Sequence, residues 1–307
     1  MARALVVNQI TELIGNTPVV RLQRLTGAGH SEVLVKLECF NPSGSVKDRA
    51  AYHMLLDAER KGRLRPGGTV IEATSGNTGI GLAMNCAVKG YRCVIVMPDN
   101  ASSERIQLLK AYGAKVVLTR AAGGMKGALD IAGLLHAEFP GSFMPGQFEN
   151  AANPDIHRRT TAVEIAAQTD SKLDAFVACA GTGGTITGTG ETLRSLIKGI
   201  SIYVVEPQGS PVLSGGNPGP NRLTGTGPGF IPAVLNTAIY DEIIQVADED
   251  ALSVMRLLAR SEGLLVGPSS GAAVWAGMQI AKKLGPHKKV LCIAPDSGER
   301  YLSMDFF

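Results

Sequence analysis

Apolar positions in this chain fall into short, nearly continuous runs separated by longer stretches in which they recur every three or four residues. The runs Glu32–Leu37, Thr69–Ala73, Arg92–Met97, Lys115–Thr119, Asp174–Ala180, Ser201–Val205 and Lys289–Ala294 read as strands. The stretches Asp48–Lys61, Asn77–Lys89, Ser102–Tyr112, Lys126–Glu138, Asn153–Gln168, Thr185–Lys198, Asp248–Glu262 and Gly271–Leu284 read as helices. Short apolar strands that alternate with helices predict parallel sheets covered on both faces, an α/β class. The alternation breaks between Pro140 and Asn153, which predicts two α/β domains. The division expected is a smaller unit over residues 40–150 and a larger one over 1–39 together with 151–307. A Gly/Pro-rich stretch from Gln208 to Pro232 is long enough to be functional rather than a plain connector. An active site is expected at the carboxyl ends of the strands, between the domains.

The most informative string is Asn41-Pro-Ser-Gly-Ser-Val-Lys47-Asp-Arg49. It sets a lysine in the first turn of a predicted helix, with Ser45 as N-cap and Asp48 as its capping-box partner. A helix N-terminus disfavours positive charge, so the amine of Lys47 is pushed toward its neutral form. A neutral lysine amine forms a Schiff base with an aldehyde and then acts as a base. Alone, such a triplet reads as a solvated helix start; two further loops change that reading. Thr74-Ser-Gly-Asn-Thr-Gly79 joins a strand to a helix, where amides and hydroxyls form an anion site suited to a substrate carboxylate. Gly181-Thr-Gly-Gly-Thr-Ile-Thr-Gly188 also follows a strand, and its glycines and threonines suit a phosphate. It is not a Walker A loop, and Ile186 stands where a dinucleotide fingerprint needs its third glycine. Gly267-Pro-Ser-Ser-Gly271, before a small-residue helix, reads as a helix cap or as a hydroxyl facing a cofactor ring. A phosphate loop, a neutral lysine and a carboxylate loop converge on pyridoxal phosphate acting on an amino acid.

Composition narrows the partners. With 45% hydrophobic and 19% charged residues the chain is a soluble globular type. Net charge is +3 and the basic pairs Lys282-Lys283 and Lys288-Lys289 are short, so no nucleic-acid footprint is expected. No apolar run reaches membrane-span length, and the opening apolar patch Ala4–Val7 is too short for a signal peptide. The 5 cysteines are odd in number and scattered, which reads as free thiols in a reducing cytoplasm, with no metal site. His157, beside Arg158 and Arg159, reads as a surface helix residue.

At these residues the chain resembles the cysteine synthase (O-acetylserine sulfhydrylase) family of fold-type II pyridoxal-phosphate enzymes. The resemblance covers nearly the whole chain. It includes Glu12-Leu-Ile-Gly-Asn-Thr-Pro18, Lys36-Leu-Glu38, Gln147-Phe-Glu-Asn150, Asn153-Pro154, Val205-Glu-Pro207, Gly227-Pro-Gly-Phe-Ile-Pro232 and Gly298-Glu-Arg-Tyr-Leu-Ser303. It implies a tryptophan synthase β-like fold in which Lys47 holds the cofactor as a Schiff base. Asn77 would face the ring oxygen, and Gly181, Thr182, Gly183, Gly184 and Thr185 would hold the phosphate. Ser269, ahead of Ser270, would face the pyridine nitrogen. Thr74, Ser75 and Thr78 would bind the substrate carboxylate with help from Gln147.

The implied reaction is β-replacement on O-acetyl-L-serine by sulfide, through an α-aminoacrylate intermediate, to give L-cysteine. A homodimer and a complex with serine acetyltransferase are implied as well. Pro268, Gly146, Thr226 and Ala101 depart from the usual pattern, and the chain ends soon after Ser303. These departures leave the chemistry in place and bear on the choice of acyl donor and nucleophile. Alternatives are a cystathionine β-synthase-like enzyme using homocysteine, a serine or threonine dehydratase, and a non-enzymatic paralogue, against which the intact Lys47 argues. The missing third glycine disfavours a nicotinamide dehydrogenase.

Overall fold

The alternation of strands and helices is realised as two sheets in the computed structural model, which describes residues 6–27 and 29–307. Ala4 and Leu5 of the opening apolar patch lie outside the described residues. In chain order the elements are β1 (Val19–Arg21), β2 (Glu32–Leu37), α1 (Lys47–Arg60), β3 (Thr69–Ala73), α2 (Asn77–Lys89), β4 (Arg92–Pro98), α3 (Ser103–Ala111), β5 (Lys115–Thr119) and α4 (Gly124–Glu138). There follow α5 (Ala152–Ile156), α6 (Ala162–Gln168), β6 (Ala175–Cys179), α7 (Gly184–Leu196), β7 (Ser201–Pro207), β8 (Glu242–Val246), α8 (Asp248–Leu257), α9 (Pro268–Leu284) and β9 (Lys289–Ala294).

The larger sheet has 6 strands in the order β1-β2-β9-β6-β7-β8. All its neighbours are parallel except β1, which runs antiparallel to β2. The smaller sheet is the parallel trio β3-β4-β5, lengthened at one edge where Phe143 pairs beside Val70. Successive side chains of a strand point to opposite faces. Val33, Val35 and Leu37 accordingly enter one core cluster while Leu34 enters another, and Val290 and Cys292 alternate with Leu291 and Ile293 in the same way. In the small sheet Ile95 and Met97 face one cluster and Val96 the other. Both faces of the inner strands are thus dry, which is why they read as unbroken apolar runs, whereas β5, at the edge of the small sheet, leaves Leu118 exposed.

Two strands had no such signature. β1 is short, with Val19 and Val20 half-buried and Arg21 exposed, and in β8 Glu242 and Gln245 are exposed, Ile243 and Ile244 half-buried and only Val246 buried. Both lie at the edges of the large sheet, where one side needs less apolar cover. The single helix expected over Asn153–Gln168 is α5 and α6 joined through a π-helical turn, His157–Thr161. A second π turn, Leu258–Glu262, extends α8. α9 starts at Pro268 rather than Gly271, because proline fits the first helical position. Gln208–Pro232 contains no helix or strand.

Buried charges tie β2, α1 and α6 together. Arg49 donates from Nε to Glu38 (2.7 Å) and from Nη1 to Glu164 (2.7 Å), and Lys36 pairs with Glu164 at 2.8 Å. Glu38 also accepts from Thr17 and Asn41. Arg49 holds its carboxyl down at about 2, against the desolvation that would raise it. This network fixes the first turn of α1, where Lys47 sits.

Candidate active site

α1 opens at Lys47, and the sequence around it is held from two sides. The N–H of Val46 donates to the carbonyl of Pro295, just after β9, and Ser45 bridges to Asp296. The expected capping pair is built differently. Ser45 Oγ accepts the Lys47 N–H at 3.2 Å but reaches Asp48 only at 3.5 Å. Asp48 is bound by the N–H of Ser43 at 2.6 Å and by the Ser43 hydroxyl, so Ser43 completes the cap. The Lys47 side chain enters a cavity of about 250 Å³ and makes no hydrogen bond or ion pair with any described residue. Burial lowers its pKa below that of an ordinary lysine, against the opposing pull of Asp296 and Glu38. Desolvation thus acts in the same direction as the helix terminus, toward the neutral amine.

The loop after β3 brings Thr74, Ser75, Asn77 and Thr78 to the same cavity. The Thr78 hydroxyl donates to Gln147 Oε1 at 2.5 Å, which joins the loop to the segment before α5. Beneath it, Glu72 accepts the Gly146 N–H at 3.0 Å, and burial pushes its carboxyl up to about 7. Asn77 is the first residue of α2. Its amide donates to Asp296 Oδ2 at 2.6 Å and accepts from Arg300.

The loop after β6 supplies Gly181, Thr182, Gly183 and Thr185. It ends at the start of α7, whose first N–H groups lack intrahelical acceptors and favour an anion. Gly183 has φ +84°, a conformation that other residues rarely take. Gly184 does not line the cavity. A Cβ there would lie 2.1 Å from Asn153 Oδ1, so its role is to admit Asn153. Asn153 in turn donates to the Gln147 carbonyl (2.8 Å) and to Thr182 Oγ1 (2.9 Å), locking the two anion loops together.

His157 is not a surface residue. It is buried in the π turn, with Nε2 3.3 Å from Thr185 Oγ1 and Nδ1 2.9 Å from Thr161 Oγ1. Desolvation, aided by Arg49, depresses its pKa to about 3, so the ring is neutral. The flanking arginines concealed its inward direction.

Ser269, in the first turn of α9, lines the cavity, whereas the hydroxyl of Ser270 is buried without a partner away from it. The sequence motifs did not single out Arg105, Asp296 or Tyr301, which form a further wall. Asp296 accepts from the Tyr301 hydroxyl at 2.5 Å, and the Arg105 guanidinium lies 5.1 Å from the Tyr301 ring centroid. Their signal was present in part: Asp296 stands two residues before the Gly298–Ser303 string, which itself contains Tyr301, and an acidic residue just past the end of a buried strand is a pointer to a site.

Known proteins resemble the chain over nearly its whole length. A family model described as pyridoxal-phosphate dependent enzyme matches residues 10–296. The chain belongs to that family. A probable cysteine synthase of Bacillus subtilis (strain 168) is 57% identical over 305 residues, covering 98% of each chain. A cysteine synthase (OASS) structure from Entamoeba histolytica matches with a TM-score of 0.95 at 41% identity, covering 100% of this chain and 92% of that one. An O-acetylserine dependent cystathionine beta-synthase from Helicobacter pylori matches with a TM-score of 0.94 at 37% identity, covering 99% of this chain and 100% of that one. As a member of the pyridoxal-phosphate dependent enzymes the chain uses that cofactor, and its residues fit it. An unpartnered lysine amine, a glycine loop at a helix start and a neutral serine face one cavity.

Proposed function

We propose that the protein makes L-cysteine from O-acetyl-L-serine and sulfide, a β-replacement. The observation that carries this reading is the free, desolvated amine of Lys47 in one cavity with two separate anion loops. One loop suits a phosphate and the other an amino-acid carboxylate. Pyridoxal phosphate, when bound, supplies an aldehyde for the amino group and a ring that draws electrons from the bonds at the α-carbon.

The rest is the work of the chain. Gly181, Thr182, Gly183 and Thr185 hold the phosphate, with Gly184 setting the loop against Asn153. Thr74, Ser75, Thr78 and Gln147 grip the substrate carboxylate and so orient the α-hydrogen toward Lys47. Lys47 Nζ would hold the cofactor and, as a free amine, would take the α-proton of the substrate. Acetate leaves the β-carbon, hydrosulfide takes its place, and Lys47 returns the proton to the α-carbon. Asn77, which donates to Asp296, would also face the ring oxygen. Ser269 would offer the ring nitrogen a neutral hydroxyl, which cannot hold a proton there as a carboxylate would and so would suit elimination.

Residues 40–150 move as one unit against residues 1–39 and 151–307, and their closure excludes water from the cavity. The protein works in the cytoplasm as a homodimer and pairs with serine acetyltransferase. A second reading, homocysteine as nucleophile, is favoured by the likeness to the Helicobacter pylori enzyme. Steady-state rates with O-acetylserine and either sulfide or homocysteine decide between them. Sulfide should give the higher kcat/KM; a preference for homocysteine would reverse the assignment.

A further inference from the structure

Arg105 stands in the first turn of α3 and lines the Lys47 cavity. It is 4% exposed and makes no hydrogen bond or ion pair with any described residue. Its Nε is buried without an acceptor, and its one contact with a polarisable group is the face of Tyr301. A guanidinium does not shed its proton, and a buried charge without a partner is costly. The nearby acids make no ion pair with it. Glu104 accepts from the N–H and hydroxyl of Ser303, while Asp296 accepts from Asn77 and Tyr301 at Oδ2 and keeps a buried Oδ1 that has no hydrogen-bond partner among the described residues. The Tyr301 hydroxyl that binds Asp296 belongs to the ring on which Arg105 stacks.

We propose that Arg105 forms a subsite for a small monovalent anion, which holds acetate as it departs and hydrosulfide as it arrives. The proposal rests on the cysteine synthase reading, because that reaction releases one small anion and consumes another in the same cavity. The substrate carboxylate has its own loop at Thr74–Thr78. The cavity that Arg105 lines, about 250 Å³, must admit the cofactor as well.

The test uses the cofactor-loaded enzyme. Acetate is titrated against the cofactor absorbance of wild type, Arg105→Gln, Arg105→Lys and Thr74→Ala, and the second-order rate with sulfide is measured by stopped flow. Loss of a charge-assisted contact predicts that Arg105→Gln weakens acetate roughly 10- to 100-fold and slows the sulfide step similarly. Arg105→Lys should retain most of both, and Thr74→Ala should retain acetate. Acetate weakened with sulfide unchanged would assign the subsite to the leaving group alone, and the reverse to the nucleophile alone; either overturns a shared site. Acetate lost in Thr74→Ala and kept in Arg105→Gln would put the anion at the carboxylate loop and overturn the subsite altogether. Should the Arg105 variants not fold, acetate is compared with neutral acetamide on the wild type, and equal binding would overturn the proposal. Wild-type turnover with sulfide tests the cysteine synthase reading separately.

Discussion

Replacing Glu38 with glutamine should destabilise the protein by about 3 kcal/mol. Glu38 is fully buried and accepts from Thr17 (2.7 Å), Asn41 (2.8 Å) and Arg49 at Nε (2.7 Å) and Nη2 (2.9 Å). A glutamine there turns one acceptor into a donor that faces other donors, and it removes the charge opposite Arg49. Two routes give the magnitude. A carboxyl held at about 2 instead of 4.5 corresponds to roughly 3 kcal/mol of preference for its charged form. Removing one partner of a buried pair costs about 3–5 kcal/mol, here moderated because Arg49 keeps Glu164.

The sign with pH follows from the depressed pKa. Stabilisation from Glu38 is complete above its unfolded value near 4.5 and is lost as pH falls toward about 2. Urea unfolding at pH 7 should show the full loss in Glu38→Gln. Between pH 5 and pH 3 the wild type should lose stability more steeply than the variant. A loss below about 1 kcal/mol, the range of an exposed pair, or identical acid sensitivity would refute the reasoning.

Other perturbations act on the site itself. Thr74→Ala and Gln147→Ala should raise KM for O-acetylserine while cofactor content stays near wild type, read from absorbance and steady-state kinetics. Gly184→Ala sets a Cβ against Asn153 and should loosen both anion loops; titration of the apoenzyme with pyridoxal phosphate should show weaker binding by roughly tenfold, the scale of about 1–3 kcal/mol for overpacking. Ser269→Asp should protonate the ring nitrogen, slow cysteine formation and increase abortive pyridoxamine phosphate, while Ser270→Asp should shift that product balance less.

How much of this was legible in the sequence depended on how local the signal was. β3 and α2 were readable to the residue, since a buried apolar run and a Gly-rich junction are contained in one short stretch. β1 and β8 were not, because an edge strand needs no continuous apolar face. The lysine and both anion loops were visible because each follows a strand or opens a helix. The burial that lowers the lysine's pKa was not, because desolvation arises from the far-apart segments that close the cavity. His157 was misread for a related reason. Two exposed-looking arginines follow it, but a π turn rotates its ring inward onto Thr185. Arg105, Asp296 and Tyr301 come from α3 and from the segment after β9, and no spacing rule joins them.

The account turns on Lys47, and borohydride reduction of the holoenzyme tests it most directly. Reduction fixes the cofactor to whichever lysine holds it, and peptide mapping finds the site. Lys36 is the natural competitor, since burial lowers its pKa as well, but it is bound by Glu164, the Thr17 carbonyl and Gln168. The account predicts the label on Lys47 and its disappearance in Lys47→Ala, together with a loss of turnover by several orders of magnitude. A label on Lys36 or any other lysine, or a Lys47→Ala variant that still forms cysteine at near the wild-type rate, would contradict it.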